Sequence, residues 1–372
     1  MRVLLKGGRI WRADRSFTEN CNILIEDEKI LSVGGEDASA DQVVDVTGMT
    51  VLPGLVDVHT HGRAGYDFNT ASKEQMMEMK RSYAAQGVTT VFPTLASATE
   101  AEWMRSIAAI EECGYDGIHL EGCYLNPAKR GAHAPELLVP LSKESLERVL
   151  SGISLPCHLS AAFELDEDGS FAQVADRHGV TMGLGHTAAT ADQARVAMER
   201  GVTSFTHLYN AMPALHHREG GAVSVALTRD DAWVEVICDG MHICPDMVAL
   251  AWKCKPRDRF VLITDSMEAT GCADGEYAIA GQKVIVKNGR AETLDGALAG
   301  STLDLWQGVR NLMKFANVSA EEAIACATIN PAEMVGISHL VGSIEAGKRA
   351  DLLLVDDAWR IQGVLAKGER VI

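Results

Sequence analysis

The chain has 372 residues, 47% of them apolar and 23% charged, enough to bury a large core and suited to one α/β barrel with an appendage. A formal charge of −17 opposes broad binding to nucleic acid or anionic membranes, yet leaves room for an anionic substrate at a local basic cluster. Nine cysteines with no C-x-x-C pair exclude a zinc ribbon or a thiol redox motif and fit a reducing compartment.

At the N-terminus, "MRVLLKGGRIWRADRS" is broken by Lys6, Gly7 and Gly8 before a signal-peptide core can form. No later apolar run approaches the roughly 20 residues of a membrane span, so the expected compartment is the cytoplasm. Residues 1–52 read as short strands and turns, in "VLLKGGRI", "CNILIEDEKILSVGG" and "VVDVTGMTVLPG". Residues 341–372 read alike. Each piece has too few strands to stand alone, so the two are expected to pair into one small β-sandwich domain. Residues 53–340 remain for a catalytic domain.

In that middle segment the period changes. Apolar runs of strand length recur at 55–59, 88–94, 117–121, 156–161, 180–186, 202–207, 233–238 and 260–265. Helical spacing separates them, as in "SKEQMMEMKRSYAAQG", "AEWMRSIAAIEECG", "SKESLERVLSG" and "ATADQARVAMERG", several ending in the glycine that stops a helix. Eight strand–helix units predict a (β/α)₈ TIM barrel. Pro156 must begin the fourth strand, because proline cannot donate within a sheet. Residues 275–296 read as a β-hairpin inserted after the eighth strand.

Barrels of this kind place chemistry where strands end. The first strand ends in "VDVHTHG", and side chains i and i+2 share a strand face, so His59 and His61 point the same way. Glu121 ends the third strand, His186 the fifth, His207 the sixth and Asp265 the eighth. Each alone has a plain structural explanation: a cap, a carbonyl partner, a solvated carboxylate. Six imidazole and carboxylate residues at one end of five strands instead predict a divalent cation, Zn²⁺ or Fe²⁺, held in an open catalytic shell.

"VLPGLVDVHTHG" and "GSIEAGKRADLLLVD" resemble the opening and closing segments of the amidohydrolase superfamily. "HLEGCYLNPAKRGAH", "GHTAAT", "THLYNAMPALHHREGG", "DGMH" and "LAGSTL" resemble, over nearly the whole chain, its N-acetylglucosamine-6-phosphate deacetylase family. The resemblance implies metal-dependent hydrolysis of N-acetyl-D-glucosamine 6-phosphate to D-glucosamine 6-phosphate and acetate, in amino-sugar catabolism or recycling. It implies one tight metal, zinc before iron, on Glu121, His186 and His207. A second site at His59 and His61, bridged by Glu121, is allowed because both histidines are present. Asp265 matches the general base that then acts as general acid. His242, His133 with Ala132, Asn210, Ala211 and the loop Leu298, Ala299, Gly300 match substrate contacts. Arg218 matches a phosphate-binding arginine contributed across a homodimer, and Lys129–Arg130 adds nearby positive charge or is ordinary surface. Cys123 stands where the family pattern often has proline, and Cys272 lies in a loop expected to border the substrate. The galactosamine epimer, another cyclic or linear amide, and a non-catalytic barrel relative are the alternatives.

Overall fold

The computed structural model describes residues 1–35, 39–279 and 281–372. Eight parallel strands form the barrel: Leu55–Thr60, Val88–Leu95, Ile118–Glu121, Cys157–Ala161, Thr181–Leu184, Ser204–Phe205, Trp233–Ile237 and Phe260–Ile263. Each overlaps a run expected from the sequence, and the fourth starts directly after Pro156, whose carbonyl accepts from Ile118 N–H. The fifth and sixth strands stop short of His186 and His207, both of which leave extended geometry for positive φ.

Helices cover the barrel because their sequences both start well and bury one stripe. Ser72 with Gln75, Thr99 with Glu102 and Thr190 with Gln193 form reciprocal capping boxes that satisfy amides at the first turn. Met76, Met79 and Tyr83, then Trp103, Ile107 and Ile110, repeat at helical spacing and are buried against the strands.

Strands from both chain ends make one further sheet. Its order is Glu369–Arg370, Ile361–Ala366, Leu352–Val355, Thr50–Pro53, Arg2–Trp11, Phe17–Glu26 and Lys29–Val33, with Gln42–Asp45 also paired to Arg2–Trp11. Alternate residues Val3 and Leu5, Ile23 and Ile25, and Leu352 and Leu354 face a shared core, as the two-residue strand period requires. "VLPGLVDVHTHG" therefore belongs to two bodies. Its first half pairs with Leu352–Val355, and its second half enters the barrel. The crossing is at Gly54, where a Cβ would lie 2.1 Å from Thr89 Oγ1, so no larger residue fits.

The expected hairpin after the eighth strand is a three-stranded antiparallel sheet, Gly275–Ile279, Gln282–Lys287 and Arg290–Thr293; Ala280 lies outside the described residues. Asn288 and Gly289 both take positive φ between its last two strands, the turn chemistry of a two-residue hairpin. The third strand is short and polar, which hid it in the sequence.

The barrel's seam lies between its first and eighth strands. Asp265 N–H donates to His59 O, and Thr60 bridges Ser266, but no longer ladder joins them. Asp57 staples this seam from inside: its carboxylate accepts from Thr264 Oγ1 at 2.6 Å and from the amides of Thr264 and His59 at 3.3 Å. Burial nevertheless raises its carboxyl to about 6. Thr264→Val removes a hydrogen bond to a buried carboxylate at nearly constant volume, and should cost about 2 kcal/mol in urea unfolding. An unchanged midpoint and slope would show that the staple is dispensable.

Candidate metal centre and substrate cavity

The six candidate ligands meet at one mouth of the barrel. Glu121 is central. Its Oε2 lies 3.0 Å from His61 Nε2 and 3.2 Å from His59 Nε2, while its Oε1 lies 3.0 Å from His207 Nε2 and 3.4 Å from His186 Nε2. Asp265 Oδ1 completes the first group, 3.3 Å from His61 Nε2 and 3.6 Å from His59 Nε2. Two lobes thus share one carboxylate.

Backbone strain helps to aim these groups. His186, His207 and Asp265 have φ of +46°, +31° and +49°, a region that side chains other than glycine's rarely occupy. The turns are held by hydrogen bonds on either side. Asn126 N–H donates to His186 O, Asn210 N–H to His207 O, and Ser301 N–H to Asp265 O.

Hydrogen bonds also fix which ring nitrogens carry protons. His186 Nδ1–H donates to the Lys129 carbonyl at 2.8 Å, which turns Nε2 inward. That nitrogen faces Glu121 and, at 3.1 Å, His207 Nε2. His59 Nδ1 pairs with Glu235 at 3.1 Å, which turns its Nε2 toward Glu121 and Asp265. Carboxylate oxygens and imidazole nitrogens converging at such distances make one donor set for positive charge. Glu121 Oε1 is buried and accepts no hydrogen bond of good geometry. The donor set therefore fits a divalent cation in each lobe: one carboxylate and two imidazoles in one, two imidazoles and two carboxylates in the other.

The titration behaviour follows from the same packing. Burial pushes the His61 imidazole down, but the carboxylates of Asp265 and Glu121 outweigh it and raise the ring to about 9. Burial pushes the Asp265 carboxyl up, and the His61 hydrogen bond with the His59 charge brings it below the usual range. For Glu121 burial likewise opposes ionisation and the surrounding imidazoles win, holding it well below that range.

Above the ligands opens a cavity of about 380 Å³, within the range of small-molecule sites. His61, Glu121, His186, His207 and Asp265 form its floor, and His59 lies fully buried beneath. Ala132, His133, Asn210, Ala211, His242, Leu298 and Gly300 line its walls. Ala299 does not. Its side chain is buried in the small core under the three-stranded insertion. Arg218 is exposed outside the cavity and pairs with His217 at 2.9 Å. Cys272 is exposed and does not line the cavity.

His133 is pinned by Ser97. The Ser97 hydroxyl and amide both donate to its Nδ1, which directs the Nε2–H toward the cavity, and burial lowers the ring to about 3, keeping it neutral. His242 Nδ1 pairs with Asp239 at 2.7 Å, leaving Nε2 for a ligand. Cys123 has φ of +61°, a backbone conformation closed to proline, which explains the departure there. Its thiol donates to Ala98 O, and burial raises it to about 11, so it packs rather than reacts.

Sequence reading missed the layer under the floor. Glu235, His158 and His119 are fully buried inside the barrel. A charged residue within the apolar run "WVEVI" was the available signal. Reading also missed Ala128, Gly131 and Ile279 in the cavity wall, small or apolar residues with no chemical signature.

Residues 50–371 match the amidohydrolase family model. N-acetylglucosamine-6-phosphate deacetylase of Vibrio furnissii is 34% identical over 98% of this chain and 92% of its own length. N-acetylgalactosamine-6-phosphate deacetylase of Escherichia coli O157:H7 is also 34% identical, over 97% of this chain and 98% of its own. A variant of N-acetyl-D-glucosamine-6-phosphate deacetylase from Mycobacterium smegmatis, solved with N-acetyl-D-glucosamine-6-phosphate, superposes with a TM-score of 0.93 at 29% identity, covering 100% of this chain and 99% of that one. A barrel that superposes on solved members and a family match over residues 50–371 lead to one conclusion: this chain belongs to the amidohydrolase family.

Proposed function

We propose that the chain is a metal-dependent deacetylase that hydrolyses N-acetyl-D-glucosamine 6-phosphate to D-glucosamine 6-phosphate and acetate. The carrying observation is that Glu121, His186, His207 and Asp265 meet on the floor of one open cavity. The names and coverage of the relatives support the substrate. Glu121, His186 and His207 would hold one cation, and His59 and His61 with Glu121 and Asp265 a second; zinc suits this donor set best and Fe²⁺ next. When bound, such an ion supplies Lewis acidity that polarises the amide carbonyl and acidifies water.

The chain's own residues then move the proton. Asp265, held ionised by His61, accepts a proton as water attacks the acetyl carbon. It returns that proton to the nitrogen as the C–N bond breaks, so acetate and a free amine leave. His133 donates to a sugar oxygen, and His242, fixed by Asp239, contacts the acetyl group or sugar. Lys129 lines the same cavity and adds positive charge near it.

The phosphate requires Arg218, whose planar donors suit it. Arg218 lies outside its own chain's cavity, which favours a homodimer in which each arginine serves the partner subunit. The enzyme acts on this small phosphorylated sugar in the cytoplasm, a compartment suited to nine unpaired cysteines. It needs no nucleic acid or membrane. Because a relative specific for the galactosamine epimer is equally similar, N-acetyl-D-galactosamine 6-phosphate is the second reading, separated by comparing kcat/KM on both sugars.

Asp265→Asn should lower kcat by about 10²- to 10⁴-fold while the protein stays folded. An unchanged kcat would remove the proton-transfer role. Chelation should abolish acetate release and Zn²⁺ should restore it. His186→Ala or His207→Ala should lose metal as well as rate, checked by elemental analysis of purified protein. Arg218→Ala should raise KM for the phosphorylated sugar alone. Mixed R218A and D265N chains should recover about one quarter of wild-type activity if the arginine crosses between subunits. No recovery would place Arg218 in its own chain's site.

A further inference from the structure

Glu235 is unusual among the residues of this barrel. It sits in the middle of the seventh strand, fully buried, where an apolar side chain would fill the interior at lower cost. Both its oxygens are used. Oε2 accepts from His59 Nδ1 at 3.1 Å, and Oε1 accepts from His158 Nε2 at 3.1 Å. His158 is held in turn by Thr181 Oγ1 at 2.9 Å. His119 packs edge-on to His59, with ring centres 4.5 Å apart, and is pinned by Ser160 and Thr94. Burial lowers the His119 ring far below its ordinary value, so it stays neutral and does not compete for the carboxylate.

The four imidazoles at the barrel mouth are backed unequally. His186 Nδ1 has only a carbonyl partner, and His61 Nδ1 and His207 Nδ1 have no hydrogen bond among the described residues. His59 alone has a carboxylate behind it. Such a carboxylate locks the tautomer, fixes the ring plane and makes the opposite nitrogen a better donor.

We propose that Glu235 is the positioning residue that presents His59 Nε2 and so sets how tightly the His59/His61 lobe holds its cation. This rests on the reading of that lobe as a second metal site. Glu235 does not line the cavity, and of the six residues at the barrel mouth its carboxylate bonds only to His59. That carboxylate makes no hydrogen bond to His186 or His207. The residue's link to their strand end is the backbone bond from Leu208 N–H to Glu235 O, which a side-chain change keeps, so the His186/His207 lobe should be indifferent to it.

The test is a Co²⁺ titration of chelator-stripped protein, with visible absorbance and metal counting, on wild type, His59→Ala and Glu235→Gln. Wild type should take two Co²⁺ per chain and His59→Ala one. Glu235→Gln should keep the first affinity and bind the second ion about 10- to 100-fold more weakly. Two ions at wild-type affinity in Glu235→Gln would overturn the proposal. One ion in both wild type and His59→Ala would instead reject the two-metal reading on which it stands. Should Glu235→Gln fail to fold, ¹⁵N imidazole spectra of Zn²⁺-loaded wild type decide. A signal lost in His59→Ala should report the Nδ1–H tautomer, and an Nε2–H tautomer there would overturn the proposal.

Discussion

A single carboxylate, Glu121, faces four imidazoles inside a barrel mouth from which water is almost excluded. Charge must balance there, because an unpaired buried ion costs several kcal/mol. Imidazole nitrogens and carboxylate oxygens brought this close form a donor set that fits a cation. The left-handed turns at His186, His207 and Asp265 serve the same requirement, since a chain continuing in extended geometry would carry these side chains past the centre.

The polar interior below is a consequence. Barrels of this fold are usually filled by layers of branched apolar side chains. Here Asp57, His119, His158, Ser160, Thr206, Glu235 and Thr264 occupy the interior and satisfy one another. Any one of them removed leaves a partner unsatisfied. The same network ties the floor of the site to the barrel's seam, through Asp57 and the backbone of His59. Stability and site geometry are therefore coupled in this protein.

Charge distribution poses a second constraint. A chain of net charge −17 repels an anionic ligand at a distance, so any phosphate must be met by local donors. The cavity contains Lys129, whereas the run His216, His217 and Arg218 lies exposed beyond it. That separation leaves the Arg218 charge clear of the buried imidazoles and carboxylates on the cavity floor.

Much of this protein was legible in its sequence. The alternation of strand-length runs with helical spacing determined a barrel, because each period can bury a face in only one way. Strand parity put His59 and His61 on one side, and the strand ends marked Glu121, His186, His207 and Asp265, because a parallel barrel aligns all those ends at one rim. Tertiary structure alone decided the rest. Glu235 and His59 are 176 residues apart, and only barrel closure and its register bring their side chains together. Ala299 and Gly300 are adjacent in sequence, yet backbone geometry turns one into a core and the other toward the cavity. Arg218 reads as part of the site but lies outside it in the single chain. Local sequence fixes periodicity and residue type, whereas the meeting of distant side chains depends on packing that no local window contains.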